Sequence, residues 1–229
     1  MAIVLYDLVG VDDRRFSPNC WRSRMALAHK GLDCDARPTR FTEIKTICGG
    51  GQKTIPVIED GDSTVADSWA IANYLEETYA DRPSLFGGDG GRAVSVFFQN
   101  WVNTIVNPGV IRSVIADIHD HLTPEDQDYF RTTREKFLGG KLEDIQDGRE
   151  DRLEAFRATL TPLRQTLKAR PFVCGDNPLY ADYLAFAPFQ WARSISPFKL
   201  LDDDDPITGW FHRCLDLYDG LGRKSKGYD

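Results

Sequence analysis

The first 85 residues alternate between the hydrophobic patterns of strands and of helices. An apolar run at residues 3–8 predicts a first strand, and from Ser17 apolar side chains recur at three-to-four spacing, which predicts a helix. A second strand is predicted at residues 35–40, and two more at 54–58 and 63–66 with an Asp-Gly turn between them. A second helix follows at residues 69–79. The predicted order is therefore βαβ followed by ββα.

The strand pattern disappears after a glycine-rich linker at residues 87–91. Apolar residues from Phe97 onward repeat at helical spacing, and the Asn-Pro-Gly sequence at 107–109 should kink or interrupt that helix before it resumes at 110–121. The remaining chain keeps the helical period. This half is therefore predicted to contain helices alone.

Further helix starts can be placed from local chemistry. Thr123 offers a capping hydroxyl, the proline after it suits the first helical position, and the next two acids suit the positive end of the helix dipole. Three more helices are predicted at residues 150–168, 181–195 and 206–217. The predicted fold class is α/β plus all-α, with a small α/β domain at residues 1–85 and an all-helical domain at residues 92–229.

Composition narrows the possible partners. The 28 Lys and Arg against 35 Asp and Glu give a formal charge of −7, which argues against nucleic acid as the main partner. Apolar stretches are all shorter than the roughly 18 residues that a membrane span requires, and the first 15 residues lack the features of a signal peptide. The five cysteines are an odd number without metal-knuckle or redox-dithiol spacing, so we expect reduced thiols and a cytoplasmic location.

The start of the first helix, Ser17-Pro18-Asn19-Cys20, carries the most chemical information. In a βαβ-ββα domain a thioredoxin-like fold places its Cys-x-x-Cys here, and serine occupies the nucleophilic position. A serine hydroxyl can donate to a thiolate supplied by a ligand, an interaction of about 1.5–3 kcal/mol, and the helix N-terminus adds roughly 0.3–1 kcal/mol. Together they could lower a bound thiol's pKa by about one to two units. The alternative is that Ser17 only caps the helix.

Two further sites suggest what the ligand is. Ile55-Pro56 opens a strand, where this fold class typically has a cis proline that exposes the backbone N–H and C=O of the preceding residue. An extended peptide could pair with that edge. Asp67-Ser68 begins the next helix, where N–H groups and a hydroxyl suit a carboxylate and the acid suits an ammonium. A ligand with a thiol, a peptide backbone, an α-carboxylate and an α-amine fits, and glutathione is such a ligand.

Over nearly its whole length the chain resembles the cytosolic glutathione transferases. The order of elements, Ile55-Pro56, Asp67-Ser68 and the segment at 175–182 carry the resemblance. It implies that Ser17 activates the thiol, with Asn19 as the second candidate. The residues that it implies hold glutathione are Gln52 or Lys53 at the glycine carboxylate, Ile55 with Pro56 at the backbone, and Asp67 and Ser68 at the γ-glutamyl end. It also implies a homodimer.

Within that superfamily the chain is most similar to the β-etherase-like branch, whose members cleave lignin-type β-aryl ethers. Segments at residues 17–32, 67–83, 137–153 and 214–223 carry this similarity. It implies an aromatic electrophile as the second substrate. One departure concerns Asp182, because the superfamily usually has Ser or Thr three residues earlier as a cap and this chain has Leu179.

The helix after the predicted kink should face the thiol. Val110, Ile111 and Val114 are therefore the expected contacts with an apolar substrate. A stripe of Phe97, Phe98 and Trp101 precedes them, and such stripes are more often core or dimer contact than a ligand site. We expect part of this stripe to be covered by the second subunit of a homodimer.

The sequence also bears on two other functions and on one other type of site. A non-catalytic protein that binds glutathione and aromatic ligands stays open, because a glutathione site does not prove a reaction. A thiol-disulfide reductase is disfavoured, since it needs cysteine at position 17. No metal site is expected, because His119 and His121, two apart on a helix, point to different faces.

Overall fold

The computed structural model describes residues 2–228. Its first part is a four-stranded sheet with strand order β2-β1-β3-β4, in which β1 and β2 are parallel and the other neighbours antiparallel. The elements of this part are β1 (Ile3–Leu8), α1 (Pro18–His29), β2 (Cys34–Thr39), β3 (Val57–Asp60), β4 (Ser63–Ala66) and α2 (Ser68–Thr78). The predicted βαβ-ββα order is confirmed, and a 3-10 segment, Phe41–Gly49, joins its two halves.

The second part of the described chain is helical. Its elements are α3 (Asp89–Trp101), a π-helical turn (Val102–Val106), α4 (Asn107–His119), α5 (Pro124–Leu138), α6 (Leu142–Gln146), α7 (Arg149–Thr159), α8 (Thr161–Ala169), α9 (Tyr180–Ile195) and α10 (Pro206–Gly220). The predicted fold class, a thioredoxin-like domain followed by a helical one, is confirmed. No described helix combines the length and the hydropathy that crossing a bilayer requires.

The structure shows no interruption of the helix at residues 107–109, one of the two outcomes predicted there. The chain stays helical, and the irregularity is the π-helical turn just before it, Val102–Val106, where the N–H of Asn107 bonds the carbonyl of Val102. Pro108 has no N–H to donate to the preceding turn, and a wider turn accommodates that loss. Sequence patterns also merged α7 and α8, which meet at Leu160, and missed the short α6.

The helix start at Thr123 is correct, but its cap is not. The Thr123 hydroxyl makes no cap bond and is a buried oxygen without a partner among the described residues. Asp126, one of the acids expected to serve the helix dipole, is 1% exposed and accepts hydrogen bonds from the backbone N–H groups of Phe41 (3.2 Å) and Thr42 (3.0 Å). The carboxylate therefore ties α5 to the 3-10 segment.

α9 forms the centre of the helical core and packs on α1. The carboxylate of Asp182, 0% exposed, accepts hydrogen bonds from the backbone N–H of Val173 (2.8 Å) and Leu179 (3.1 Å) and from the indole N–H of Trp210 (2.9 Å). Leu179 has no hydroxyl for the reciprocal bond, so one half of the capping box is present. At the start of the same helix, Tyr180 donates its hydroxyl to the carbonyl of Ser68 at 2.9 Å. This contact joins α9 to the start of α2.

Candidate active site

Ser17 is the N-cap residue of α1. Its side-chain oxygen accepts the backbone N–H of Cys20 at 3.2 Å, and the residue is 7% exposed on the wall of a cavity. An oxygen that accepts one hydrogen bond still has its own O–H to donate. The cap and the thiolate-stabilising role are therefore compatible. Cys20 faces inward as predicted, and burial raises the pKa of its thiol.

Asn19 is oriented by an arginine that the sequence reasoning missed. Arg22, 2% exposed, donates from one nitrogen to Oδ1 of Asn19 (3.0 Å) and from another to Oδ1 of Asn103 (2.9 Å). Arginine only donates, so the amide oxygen of Asn19 must face it and Nδ2 is left to donate elsewhere. Burial lowers the pKa of Arg22. The sequence could have indicated this contact through spacing, because side chains three residues apart on a helix lie next to each other.

The peptide edge has the predicted geometry. The Ile55-Pro56 bond is cis, and the carbonyl of Pro56 accepts the N–H of Asp67 at 3.1 Å. Within residues 2–228, neither the N–H nor the C=O of Ile55 has a hydrogen-bond partner. Ile55 lines the same cavity as Ser17. An unpaired backbone edge next to the predicted thiol position suits an extended peptide ligand.

Asp67 is the N-cap residue of α2. One carboxylate oxygen, Oδ1, accepts the backbone N–H groups of Trp69 (2.9 Å) and Ala70 (3.1 Å), and Oδ2 has no such bond. The residue has φ 81°, a conformation that is rare outside glycine and is found where surrounding bonds hold it in place. Asp67 is exposed and Ser68 is 3% exposed. A carboxylate with a free oxygen next to a helix N-terminus can serve an ammonium and a carboxylate together.

Two adjoining cavities bring these residues together. One, about 460 Å³, is lined by Ser17, Lys53 and Ile55, and the other, about 730 Å³, by Asp67 and Ser68. Four residues line both: Asn19, Ile111, Phe137 and Leu138. The cavities thus form one groove between the sheet domain and the helices, which we call the active-site groove. Gln52 and Pro56 lie outside both linings.

The predicted apolar contacts are only partly in the groove. Val110 and Val114 are 0% exposed in the helical core and do not line it, whereas Ile111 does. The face of α4 that lines the groove continues from Ile111 to Ile115 and Ile118. These positions follow i, i+4, i+7 spacing. Hydrophobic spacing predicted an apolar helix, but the rotation of that helix depends on its neighbours.

Three features outside the active-site groove bear on the sequence predictions: metal-ligating side chains, cysteines and the aromatic stripe. Among residues 2–228 no three or more His, Cys, Asp and Glu side chains are grouped closely enough to hold a metal ion. All five cysteines are free. In the aromatic stripe, Phe98 and Trp101 contact each other with ring centroids 5.3 Å apart, whereas Phe97 is 73% exposed.

Two family profiles match this chain. Residues 13–83 match the glutathione S-transferase N-terminal domain, and residues 93–215 match the C-terminal domain. The chain belongs to the glutathione transferase family. The first matched segment includes α1 to α2, and the second runs from within α3 to within α10, so both sides of the active-site groove lie largely in matched segments.

Fungal glutathione transferases are among its similar structures. GSTFuA3 from Phanerochaete chrysosporium is 31% identical with a TM-score of 0.77, covering 96% of this chain and 92% of its own. CsGST63524 of Ceriporiopsis subvermispora, solved in complex with glutathione, is 28% identical with a TM-score of 0.81, covering 96% and 97%. The glutathione S-transferase-like protein ustS of Aspergillus flavus is 22% identical over 93% of this chain and 88% of its own.

Proposed function

We propose that this glutathione transferase uses glutathione as its cosubstrate and holds it along the active-site groove. One observation carries the proposal: Ser17, the unpaired backbone of Ile55 and the Asp67-Ser68 helix start line two adjoining cavities. The thiol would lie at Ser17, the peptide along Ile55, and the γ-glutamyl end at Asp67 and Ser68. Lys53 lines the groove beside Ile55 and would meet the glycine carboxylate, a role for which Gln52 is less well placed.

The chemistry that this groove supports is attack by a thiolate. The Ser17 hydroxyl, the Nδ2 group of Asn19 and the N-terminus of α1 all stabilise negative charge on sulfur. The thiolate forms a C–S bond with an electrophilic carbon, and the leaving group departs with the electron pair of its broken bond. For a β-aryl ether next to a ketone, the broken bond is C–O and the leaving group is a phenoxide, which takes up a proton from water. The protein supplies position and thiolate stabilisation.

An aromatic β-aryl ether is the substrate that we propose. Two observations support it: the four sequence segments that resemble the β-etherase-like branch, and the aromatic walls of the groove at Phe41, Tyr129 and Phe130. We expect a fluorogenic β-aryl ether to release its phenol only when glutathione is present, together with one glutathione thioether per phenol. Fluorescence and mass spectrometry measure the two products.

The alternative is a binding protein that carries aromatic ligands without reaction. In that case the same ether should bind in the groove and glutathione should bind as well, yet no phenol should appear. The assay therefore separates glutathione transfer from ligand binding without reaction.

A cytoplasmic location is part of the proposal as well, supported by five free cysteines.

We also propose a homodimer. Phe97 and Val94 on α3 are 73% and 61% exposed, a large apolar area for one side of a helix. Light scattering at micromolar concentration should give twice the 25.9 kDa mass of the chain. Replacing Phe97 with Asp should shift the mass toward one chain, because it places a charge in the covered patch. A mass of one chain for the unsubstituted protein would reject the dimer.

A further inference from the structure

The cavity that contains Ser17 has a charge unlike that of the whole chain. The chain carries a formal charge of −7. The described residues that line this cavity nevertheless include two cations, Lys53 and Arg134, and no Asp or Glu. A cavity with low-dielectric walls and charge of one sign concentrates ligands of the opposite sign. This cavity is therefore suited to anions.

Arg134, on α5, is the cation without an assigned role. Its guanidinium carbon lies 5.5 Å from the ring centroid of Phe41 and 5.3 Å from that of Phe130. The hydrogen bond that the structure gives its side chain is to the hydroxyl of Thr133, at 3.2 Å. No carboxylate of residues 2–228 pairs with it. The guanidinium is thus held in place by aromatic rings, and most of its N–H groups are available to a ligand.

A neighbouring arginine on the same helix, unlike Arg134, is paired with carboxylates. Arg131, one turn earlier on the same helix, pairs with Glu135 at 2.9 Å and with Glu143 at 2.7 Å. Burial lowers the pKa of Arg134, which means that its charge has lost water without gaining an acid. A planar fork of N–H donors binds a carboxylate in a bidentate manner, and that interaction strengthens where water is excluded.

We propose that Arg134 binds a carboxylate of the electrophilic substrate, so that the preferred second substrate is an aromatic acid. The inference rests on the proposed function and specifies its substrate class. The aromatic ring of the acid packs against Phe41 and Phe130, and its carboxylate meets the guanidinium. Lys53 lies two residues before Ile55, where it would meet the glycine carboxylate of glutathione. Arg134 is therefore available to the second substrate. The other source of the same chemistry is the glycine carboxylate of glutathione, and the test separates the two.

The test compares 2-naphthoate with its neutral counterpart 2-naphthamide by calorimetry on the full chain saturated with glutathione. We expect the acid to bind at least about fivefold more tightly than the amide, and Arg134→Gln to weaken the acid about tenfold, as loss of one charged hydrogen-bond pair predicts. The amide should change less than about twofold. Lys136→Gln removes the same charge from an exposed position on α5 and should change neither.

Arg134→Lys keeps a charge and an apolar stem, so it should keep a part of the preference even if the glutamine variant fails to fold. Equal binding of acid and amide by the unsubstituted protein overturns the proposal. A tenfold loss of glutathione affinity in Arg134→Gln, with naphthoate binding unchanged, also overturns it. That result would show that Arg134 binds the glycine carboxylate of glutathione. No heat with glutathione itself would instead contradict the proposed function, and naphthoate titrated alone would still test Arg134.

Discussion

Replacing Ser17 with alanine is expected to lower kcat/KM at neutral pH about tenfold or more. The hydroxyl that donates to the thiolate contributes about 1.5–3 kcal/mol, and each pKa unit corresponds to about 1.36 kcal/mol. Its loss should therefore raise the pKa of the bound thiol by about one unit or more. The loss of rate should be full below the pKa of the unsubstituted complex, should shrink as the pH rises from that pKa to the pKa of the variant, and should largely vanish above the latter. A pH profile of kcat/KM measures both.

Ser17→Thr is the matched control, because threonine keeps the hydroxyl and the cap of α1. Alanine also removes that cap, at a cost of about 1 kcal/mol of stability, so both variants should be assayed below their unfolding temperatures. A pH profile that does not move in Ser17→Ala would assign the thiolate to Asn19. Asn19→Ala would then show the shift instead, since Arg22 leaves its amide N–H groups free to donate.

Replacing Asp182 with alanine is expected to lower the free energy of unfolding by about 3–5 kcal/mol, because three buried N–H donors each lose their acceptor at a cost of about 1–3 kcal/mol. The carboxylate satisfies three N–H groups, from Val173, Leu179 and Trp210, in a fully buried position. Alanine leaves those donors without acceptors in a core that water does not reach. Urea unfolding followed by fluorescence and circular dichroism measures the change.

Asp176→Ala is the control, because it removes an exposed acid from the same connection between α8 and α9. It should change the free energy of unfolding by less than about 0.5 kcal/mol. Asp182→Asn keeps one side-chain acceptor and should fall between the two. A loss below about 1 kcal/mol for Asp182→Ala would show that the donors find other partners and that this carboxylate does not organise the core.

The architecture was predictable because it depends on periodicity and turn chemistry. The spacing of hydrophobic residues alternates between two in strands and three to four in helices, and this alternation marks β1 to α2. Local rules for the starts of elements identify the positions of Ser17, Pro56 and Asp67. Asp67 shows the limit of such rules. Its capping role is local, but its φ of 81° depends on the bond from its N–H to the carbonyl of Pro56, eleven residues earlier.

The rest of the groove depends on contacts between distant parts of the chain. Ile115 and Ile118 replace Val110 and Val114 on its wall because α9 and α6 determine how α4 is rotated. Asp126 likewise serves Phe41 and Thr42 instead of its own helix. The role of Arg134 depends on the absence of a carboxylate partner among residues 2–228, which spacing along one helix cannot reveal.

This chain is expected to bind glutathione and to lower the pKa of the glutathione thiol. An ultraviolet titration of the thiolate in the presence of saturating protein measures that pKa directly. We expect a value at least about one unit below the roughly 8.5 of an ordinary cysteine thiol. We also expect an Asp67→Ala variant to need several-fold more glutathione to reach saturation. A bound thiol that titrates like free glutathione, or no binding at all, would contradict it.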